Sequence, residues 1–287
     1  MNTPLIGLLG ALLFILFLTL SMPVGFAMAI AGCLGFAIIS NSTAACYMLT
    51  SVFFETFSKY DYTVIPLFIF MGQVCFHSGI SKRLFDVAYK WVGRMPGGMA
   101  SASVAACAAF GAICGSGPAT AATMAAVTLP EMKKRNYSMQ LAAGTVASAG
   151  SLGMMIPPSV VFIVYGFLTE QSPAKLFIAG IIPGLMFTLL FIIYVTWACI
   201  RNPKLGPPAP SYSWKEKIHS LLGVIDPALL FILVIGGMFL GWFTPTEAAS
   251  VGALGSLIIA ACRKSLSWKM LKRSLMETVR SSCMILL

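Results

Sequence analysis

The sequence predicts an all-α polytopic membrane protein, and three observations predict it. Hydrophobic residues make up 58% of the chain and charged residues 10%, a balance that suits hydrocarbon better than water. The 19 Lys and Arg fall in short clusters between long apolar runs. Two charge-free stretches, Pro96 to Pro130 and Ser138 to Thr169, are each interrupted in the middle by glycine and proline. The net charge of +10 is then a matter of membrane topology, and no nucleic acid partner is expected.

In chain order, Leu5 to Ser21 reads as a first span, ended at Met22-Pro23 because proline cannot continue a hydrogen-bonded helix. Met1-Asn2-Thr3-Pro4 offers no basic leader region, so this helix is expected to stay. Val24 to Ile39 is a second span. Cys46 to Lys59 is too polar to cross and groups Phe53, Phe54 and Phe57, as an amphipathic helix at the interface would. Tyr62 to Phe76 is a third span, followed by a loop carrying Lys82, Arg83, Lys90 and Arg94.

Pro96 to Pro130 contains 35 residues without a charge, too long for one helix and too short for two. Lys90 and Arg94 precede it and Lys133, Lys134 and Arg135 follow it, so both ends belong on the cytoplasmic side. The centre, Gly115-Ser116-Gly117-Pro118-Ala119-Thr120, breaks any continuous helix. A re-entrant helical hairpin satisfies both facts. Ser138 to Thr169 is likewise broken, over Gly150 to Pro158, and reads as a discontinuous helix whose break faces the hairpin tip. Ala174 to Ile200 spans. The basic segment Arg201 to His219 contains the stiff Pro207-Pro208-Ala209-Pro210, Leu221 to Phe243 spans, Pro245 breaks, Glu247 to Cys262 spans back, and Trp268 to Arg280 lies at the interface.

An internal repeat is visible. Pro23 precedes Glu55-Thr56 by 55 − 23 = 32 residues and Pro245 precedes Glu277-Thr278 by 277 − 245 = 32, with the same order of elements around them. An odd number of crossings separates the copies, which makes the second inverted. Placing the basic loops inside leaves only Lys59 and Lys175 of the 19 basic residues outside. Inverted repeats with helices broken at the midplane are the pattern of secondary transporters.

The tip and the break offer freed backbone carbonyls, the hydroxyls of Ser116, Thr120 and Ser151, and positive helix N-termini. Oxygens suit a hard cation and N-termini suit a carboxylate. Glycine for close packing accounts for the small residues, as at Ala102, Ala105, Ala106 and Ala109, but not for Pro118 or Pro157-Pro158. His77 ends a span as an interface residue, Glu170 and Glu247 sit at outer mouths, and Met154 and Met155 read as core. Eight cysteines without a CxxC pair and two histidines support neither a disulfide framework nor a metal centre. An intramembrane enzyme would need a nucleophile with a base, or a metal cluster, at depth, and the acids that fall in the apolar spans, Asp226 and Glu247, sit near the span ends.

The runs FGAICGSGPATAATMAAVTLPEM, GSLGMMIPPSVVFIVYG and GWFTPTEAA resemble the large membrane subunit of tripartite ATP-independent periplasmic (TRAP) transporters, the DctM-like family, and the resemblance covers essentially the whole chain. It implies sodium-driven import of an organic acid, a dicarboxylate or sugar acid, by an inverted-repeat elevator. No cofactor is expected besides Na+ as the coupling ion. The implied partners are a soluble periplasmic binding protein and a small four-helix membrane subunit, in the bacterial inner membrane with the N-terminus periplasmic. It also implies a sodium site between Gly115, Ser116 and Gly117 at the tip and Gly153, Ile156 and Pro157 at the break. The substrate is expected near Pro118, Thr120, Ser151 and Pro158. The family often carries serine where this chain has Cys114.

The expected domains are scaffold helices and an interfacial arm over 1–60, a transport domain over 61–173 holding the hairpin 96–130 and the broken helix 138–169, a span over 174–200, a cytoplasmic linker over 201–220, and the start of the second repeat over 221–287. The family has a second hairpin and second broken helix beyond that point. The chain is therefore expected to be part of a longer subunit; the alternatives are an inactive truncated fragment that only associates with the small subunit, or another inverted-repeat sodium/carboxylate symporter.

Overall fold

The computed structural model describes residues 3–208 and 212–286. Its regular structure there is helical throughout, with no strand among the described residues. The helices are α1 (Thr3–Thr19), α2 (Val24–Ile39), α3 (Ser42–Ser58), α4 (Val64–His77), α5 (Ile80–Val92), α6 (Gly98–Cys114), α7 (Gly117–Lys134), α8 (Met139–Gly150), α9 (Leu152–Met155), α10 (Val160–Leu168), α11 (Pro173–Arg201), α12 (Trp214–Ser220), α13 (Ile225–Phe231), α14 (Gly237–Phe239), α15 (Pro245–Cys262) and α16 (Trp268–Leu286). The chain divides into two compact units, Met1–Tyr62 with Ser281–Leu287, and Thr63–Arg280.

In the smaller unit, α1 packs on α2 and α2 on α3. Asn41 begins α3 by accepting the Ala44 N–H on its side-chain oxygen at 2.6 Å, the usual way to satisfy a free helix-end donor. Phe54 and Phe57 are 75% and 56% exposed, which suits an apolar face turned to lipid.

The larger unit is built around α4 and α6. Phe68, Ile65, Met71, Val74, Met99, Phe110 and Ile113 are fully buried, and a helix buried on all sides belongs to the core rather than to a boundary. α15 lies along α4 through a face of small residues, Ala248, Ala249, Gly252, Ala253, Ser256 and Ala260. The approach is so close that a Cβ on Gly252 would stand 2.6 Å from Met71 Sδ. The start of α15 explains the TPTE motif. Thr244 is the N-cap, Pro245 sits where its missing N–H is not needed, and Glu247 closes a capping box by accepting the Thr244 N–H at 2.8 Å.

α11 and α15 are long and apolar enough to cross a membrane, and three bent helix pairs qualify when each pair is taken together. α11 exposes Ile182, Leu185, Leu189 and Ile193, which is stable only in hydrocarbon. The chain is a multi-pass membrane protein. Shifting α1, α2 and α3 by 245 − 23 = 222 positions lands on α13–α14, α15 and α16, so the element order follows the repeat read from Pro23 and Pro245.

Three sequence expectations change. The segment carrying Lys82, Arg83 and Lys90 is not a loop but the amphipathic helix α5, which buries Ile80, Leu84, Phe85 and Val87 while Lys82 and Asp86 face out. The second hairpin helix does not stop at Pro130. It runs on to Lys134, because a proline this near the C-terminus removes only one helical bond. The span from Leu221 to Phe243 is bent by 47° near Val224 and contains a π-helical segment, Ile232–Gly236. Of the Pro207-Pro208-Ala209-Pro210 spacer, Ala209 and Pro210 lie outside the described residues, as do Met1 and Asn2.

Candidate functional site

α6 ends because Gly115 turns left-handed, with φ +66°, a conformation glycine adopts at little cost. Ser116 is extended and α7 starts at Gly117 with Pro118 in its first turn, so two residues reverse the chain. The opposing break runs from Ile156 to Ser159 between α9 and α10, whose flanking segments are bent by 44°. The break thus lies toward the end of the expected Gly150 to Pro158, because Leu152–Met155 keeps one helical turn before the prolines stop it.

The tip and the break are joined directly. Val160 N–H donates to the Gly115 carbonyl at 3.1 Å, and a Cβ on Gly115 would stand 2.5 Å from the Pro158 carbonyl oxygen. Gly117 faces the Met154 side chain, Gly111 faces the Gly153 backbone, and Gly150 faces Ala121. The small residues of both motifs therefore form one continuous close contact.

Polar groups inside that contact are incompletely paired. Thr120 Oγ1 is fully buried, with no nitrogen or oxygen partner among the described residues. It lies 2.5 Å from where a Cβ on Gly153 would stand, and the Ser116 carbonyl oxygen lies 2.9 Å from the same point. The Cys114 thiol beside Thr120 is a weak partner for a hydroxyl. No N–H donates to the buried carbonyls of Ile156, Pro157 or Pro158 among the described residues. An orphaned buried polar group costs about 1–3 kcal/mol, so oxygens left this way fit a cation that replaces the missing donors.

The expected residues separate on inspection. Gly115, Ser116, Gly117, Thr120, Gly153 and Pro158 meet at the contact. Ile156 turns its side chain toward α11, where a Cβ on Gly184 would stand 2.7 Å from its Cγ1, so only its backbone can serve the site. Ser151 Oγ donates to Ser148 O at 2.7 Å, one turn back on its own helix, and does not reach the tip. Pro118 is exposed at the start of α7. Ser159 was absent from the expected set yet holds the break in shape: fully buried, it donates to Met154 O at 2.6 Å and accepts the Phe162 N–H at 3.4 Å. A serine directly after two prolines and before an apolar run is an N-cap signal that could have marked it. His77 is no bare span end either, since its Nε2 lies 3.2 Å from Glu277 Oε2.

A family model described as "Tripartite ATP-independent periplasmic transporter, DctM component" matches residues 11–287. The chain belongs to the DctM family. It is similar to the C4-dicarboxylate TRAP transporter large permease protein DctM of Pseudomonas aeruginosa, 41% identical over 207 residues that make up 72% of this chain and 48% of that protein. It is also similar to the isethionate TRAP transporter permease protein DctMQ of Oleidesulfovibrio alaskensis, 34% identical over 95% of this chain and 43% of that protein. Against the 2,3-diketo-L-gulonate TRAP transporter large permease protein YiaN of Escherichia coli the identity is 36%, over 70% of this chain and 47% of that protein. The chain spans about half the length of the DctM-family relatives it matches.

Proposed function

We propose that this chain forms the first repeat and the start of the second in the large membrane subunit of a sodium-coupled TRAP transporter, and that the subunit imports an organic acid delivered by a periplasmic binding protein. A small membrane subunit completes the assembly in the bacterial inner membrane. The observation that carries the reading is the buried, unpartnered Thr120 Oγ1 beside the Ser116 carbonyl at the hairpin tip. Na+ prefers oxygen ligands, and hydroxyls and carbonyls supply them without an unpaired negative charge in hydrocarbon. Sodium bound here would tie hairpin to broken helix, and the exposed Pro118 end of α7 would offer its N-terminus to a carboxylate. Relatives named for C4-dicarboxylates and for a keto sugar acid support an organic acid as the cargo. Transport by an elevator movement of the hairpin-bearing part belongs to the same proposal.

The experiment is the sodium dependence of thermal unfolding for the purified chain in detergent, with choline as control. The wild type should gain stability with sodium, Thr120→Ser should keep the gain and Thr120→Val should lose it. Equal sodium stabilisation in all three would remove Thr120 from any sodium site.

A further inference from the structure

Away from the hairpin tip, the larger unit holds a cleft of about 530 Å³ between α5, α7 and Tyr212. Three cations line it, Lys82 and Lys90 from α5 and Arg135 from the end of α7, against two carboxylates, Asp86 and Glu131. The acids do not cancel the field. Glu131 already pairs with Lys134 at 2.9 Å, which leaves Asp86 alone to face Lys82 and Lys90, so the three cations outnumber the unpaired carboxylate.

The aromatic wall points to a ligand. Tyr89 lines the cleft and is 6% exposed, with its buried hydroxyl beside that of Tyr212. Its ring is fixed from several sides. Phe85 stacks on it at 6.1 Å, Tyr212 meets it edge-on at 6.0 Å, and the Arg135 guanidinium sits 5.0 Å over its face. A ring held this rigidly positions the planar guanidinium over it, and a positioned guanidinium beside two hydroxyls suits an oxyanion with several acceptor oxygens.

The surroundings set the depth. Trp91 and Trp214 meet edge-on at 6.3 Å, both exposed, and Lys217 Nζ lies 5.4 Å from the Trp214 ring centroid. Exposed tryptophans with lysines mark the headgroup level of a membrane. The cleft floor, Phe85, Met99, Val127 and Pro130, is apolar. Basic pockets between helices at this level hold acidic lipid headgroups.

We propose that this cleft binds a phosphate group through Lys82, Lys90, Arg135 and the Tyr89 hydroxyl, the chemistry shared by an acidic phospholipid headgroup and free phosphate. The test has two arms, each with the wild-type chain, Arg135→Ala, Lys82→Ala and Tyr89→Phe. In the first, the chain is reconstituted in nanodiscs of equal phosphatidylglycerol and phosphatidylcholine, and retained lipid is read by native mass spectrometry. In the second, lipid-depleted chain in detergent is titrated with inorganic phosphate while tryptophan fluorescence is followed.

Preferential retention of phosphatidylglycerol, reduced about tenfold in Arg135→Ala and severalfold in Tyr89→Phe, establishes the site with a lipid source. Saturable phosphate binding with the same variant order and no lipid preference establishes it with a soluble source. Tyr89→Phe is the discriminating variant, because it keeps the ring beneath Arg135 and removes only the hydroxyl. Binding unchanged in all three variants, or absent from both arms, overturns the proposal.

Discussion

Gly111 and Gly153 bring hairpin and broken helix together so closely that a Cβ on Gly111 would stand 2.7 Å from the Gly153 Cα and 3.0 Å from its nitrogen. Both obstacles are backbone, so neither can swing aside. Gly111→Ala should therefore destabilise the chain by about 1–3 kcal/mol, as overpacking of a filled core does. Gly144→Ala is the control, since a Cβ there meets nothing within 4 Å and a helical glycine replaced by alanine gains up to about 1 kcal/mol. Thermal unfolding in detergent compares the two. Similar midpoints would mean that the contact is looser than its geometry.

The same contact shows what the sequence made legible. Gly115-Ser116-Gly117-Pro118 and Pro157-Pro158 announce backbone interruptions through glycine freedom and missing N–H donors, and a charge-free run with basic flanks announces a hairpin. Those signals are local. The direction of the Ser151 hydroxyl is not, because serine in a helix can bond back to its own turn or reach across, and only the neighbouring helix decides. The charges of α5 give it the composition of a loop, although Ile80, Leu84 and Val87 recur at helical spacing. Pairings between distant residues, such as Arg83 with Asp226, leave no trace in a single sequence.

That pairing has a consequence of its own. Asp226, 13% exposed, binds Arg263 through both carboxylate oxygens at 2.9 and 3.1 Å and faces Arg83 Nη1 at 3.6 Å. Arg83 Nε and Nη2 are buried without partners among the described residues. Asp226→Asn leaves that guanidinium largely uncompensated and should cost about 1–3 kcal/mol, less than the roughly 3–5 kcal/mol of a fully buried pair because Arg263 is half exposed. Adding Arg83→Met should recover part of the loss. A double variant no better than the single one would show that Arg83 and Asp226 do not interact in solution.

Tyr137 ties the base of the hairpin to the segment after α11. Its hydroxyl donates to Pro207 O at 2.8 Å and accepts the Met99 N–H at 3.2 Å, and burial pushes the phenol up to about 12. The unfolded chain loses this proton near the ordinary tyrosine value of about 10, so the native state holds it longer. The contribution is complete below pH 10 and is lost as pH rises toward 12. Tyr137→Phe should lower stability at pH 8 by about 0.5–1.5 kcal/mol and flatten the decline between pH 10 and 12. An unchanged alkaline slope in the variant would assign the decline to other groups.

The last prediction concerns sidedness, which follows from charge alone. With Lys82, Arg83, Lys90 and Arg94 before the hairpin and Lys133, Lys134 and Arg135 after it, both ends of α6–α7 belong to the cytoplasm, whereas the Glu170-Gln171 turn before α11 belongs outside. The next basic cluster, Arg201 with Lys204, lies at the far end of the 29-residue α11, about 44 Å of helix at 1.5 Å per residue and enough to cross. Continuing through the spans to Arg263 and Lys264 returns the chain to the cytoplasm, and Cys262 is exposed there. In a background where Cys46 and Cys283 are serine, intact spheroplasts treated with a membrane-impermeant maleimide should label Gln171→Cys. Lys133→Cys and the native Cys262 should react only after permeabilisation. Labelling of Lys133→Cys in sealed cells would mean that the chain crosses the membrane once between Arg94 and Lys133 instead of returning to the side it entered, and would require the sidedness of every later span to be redrawn.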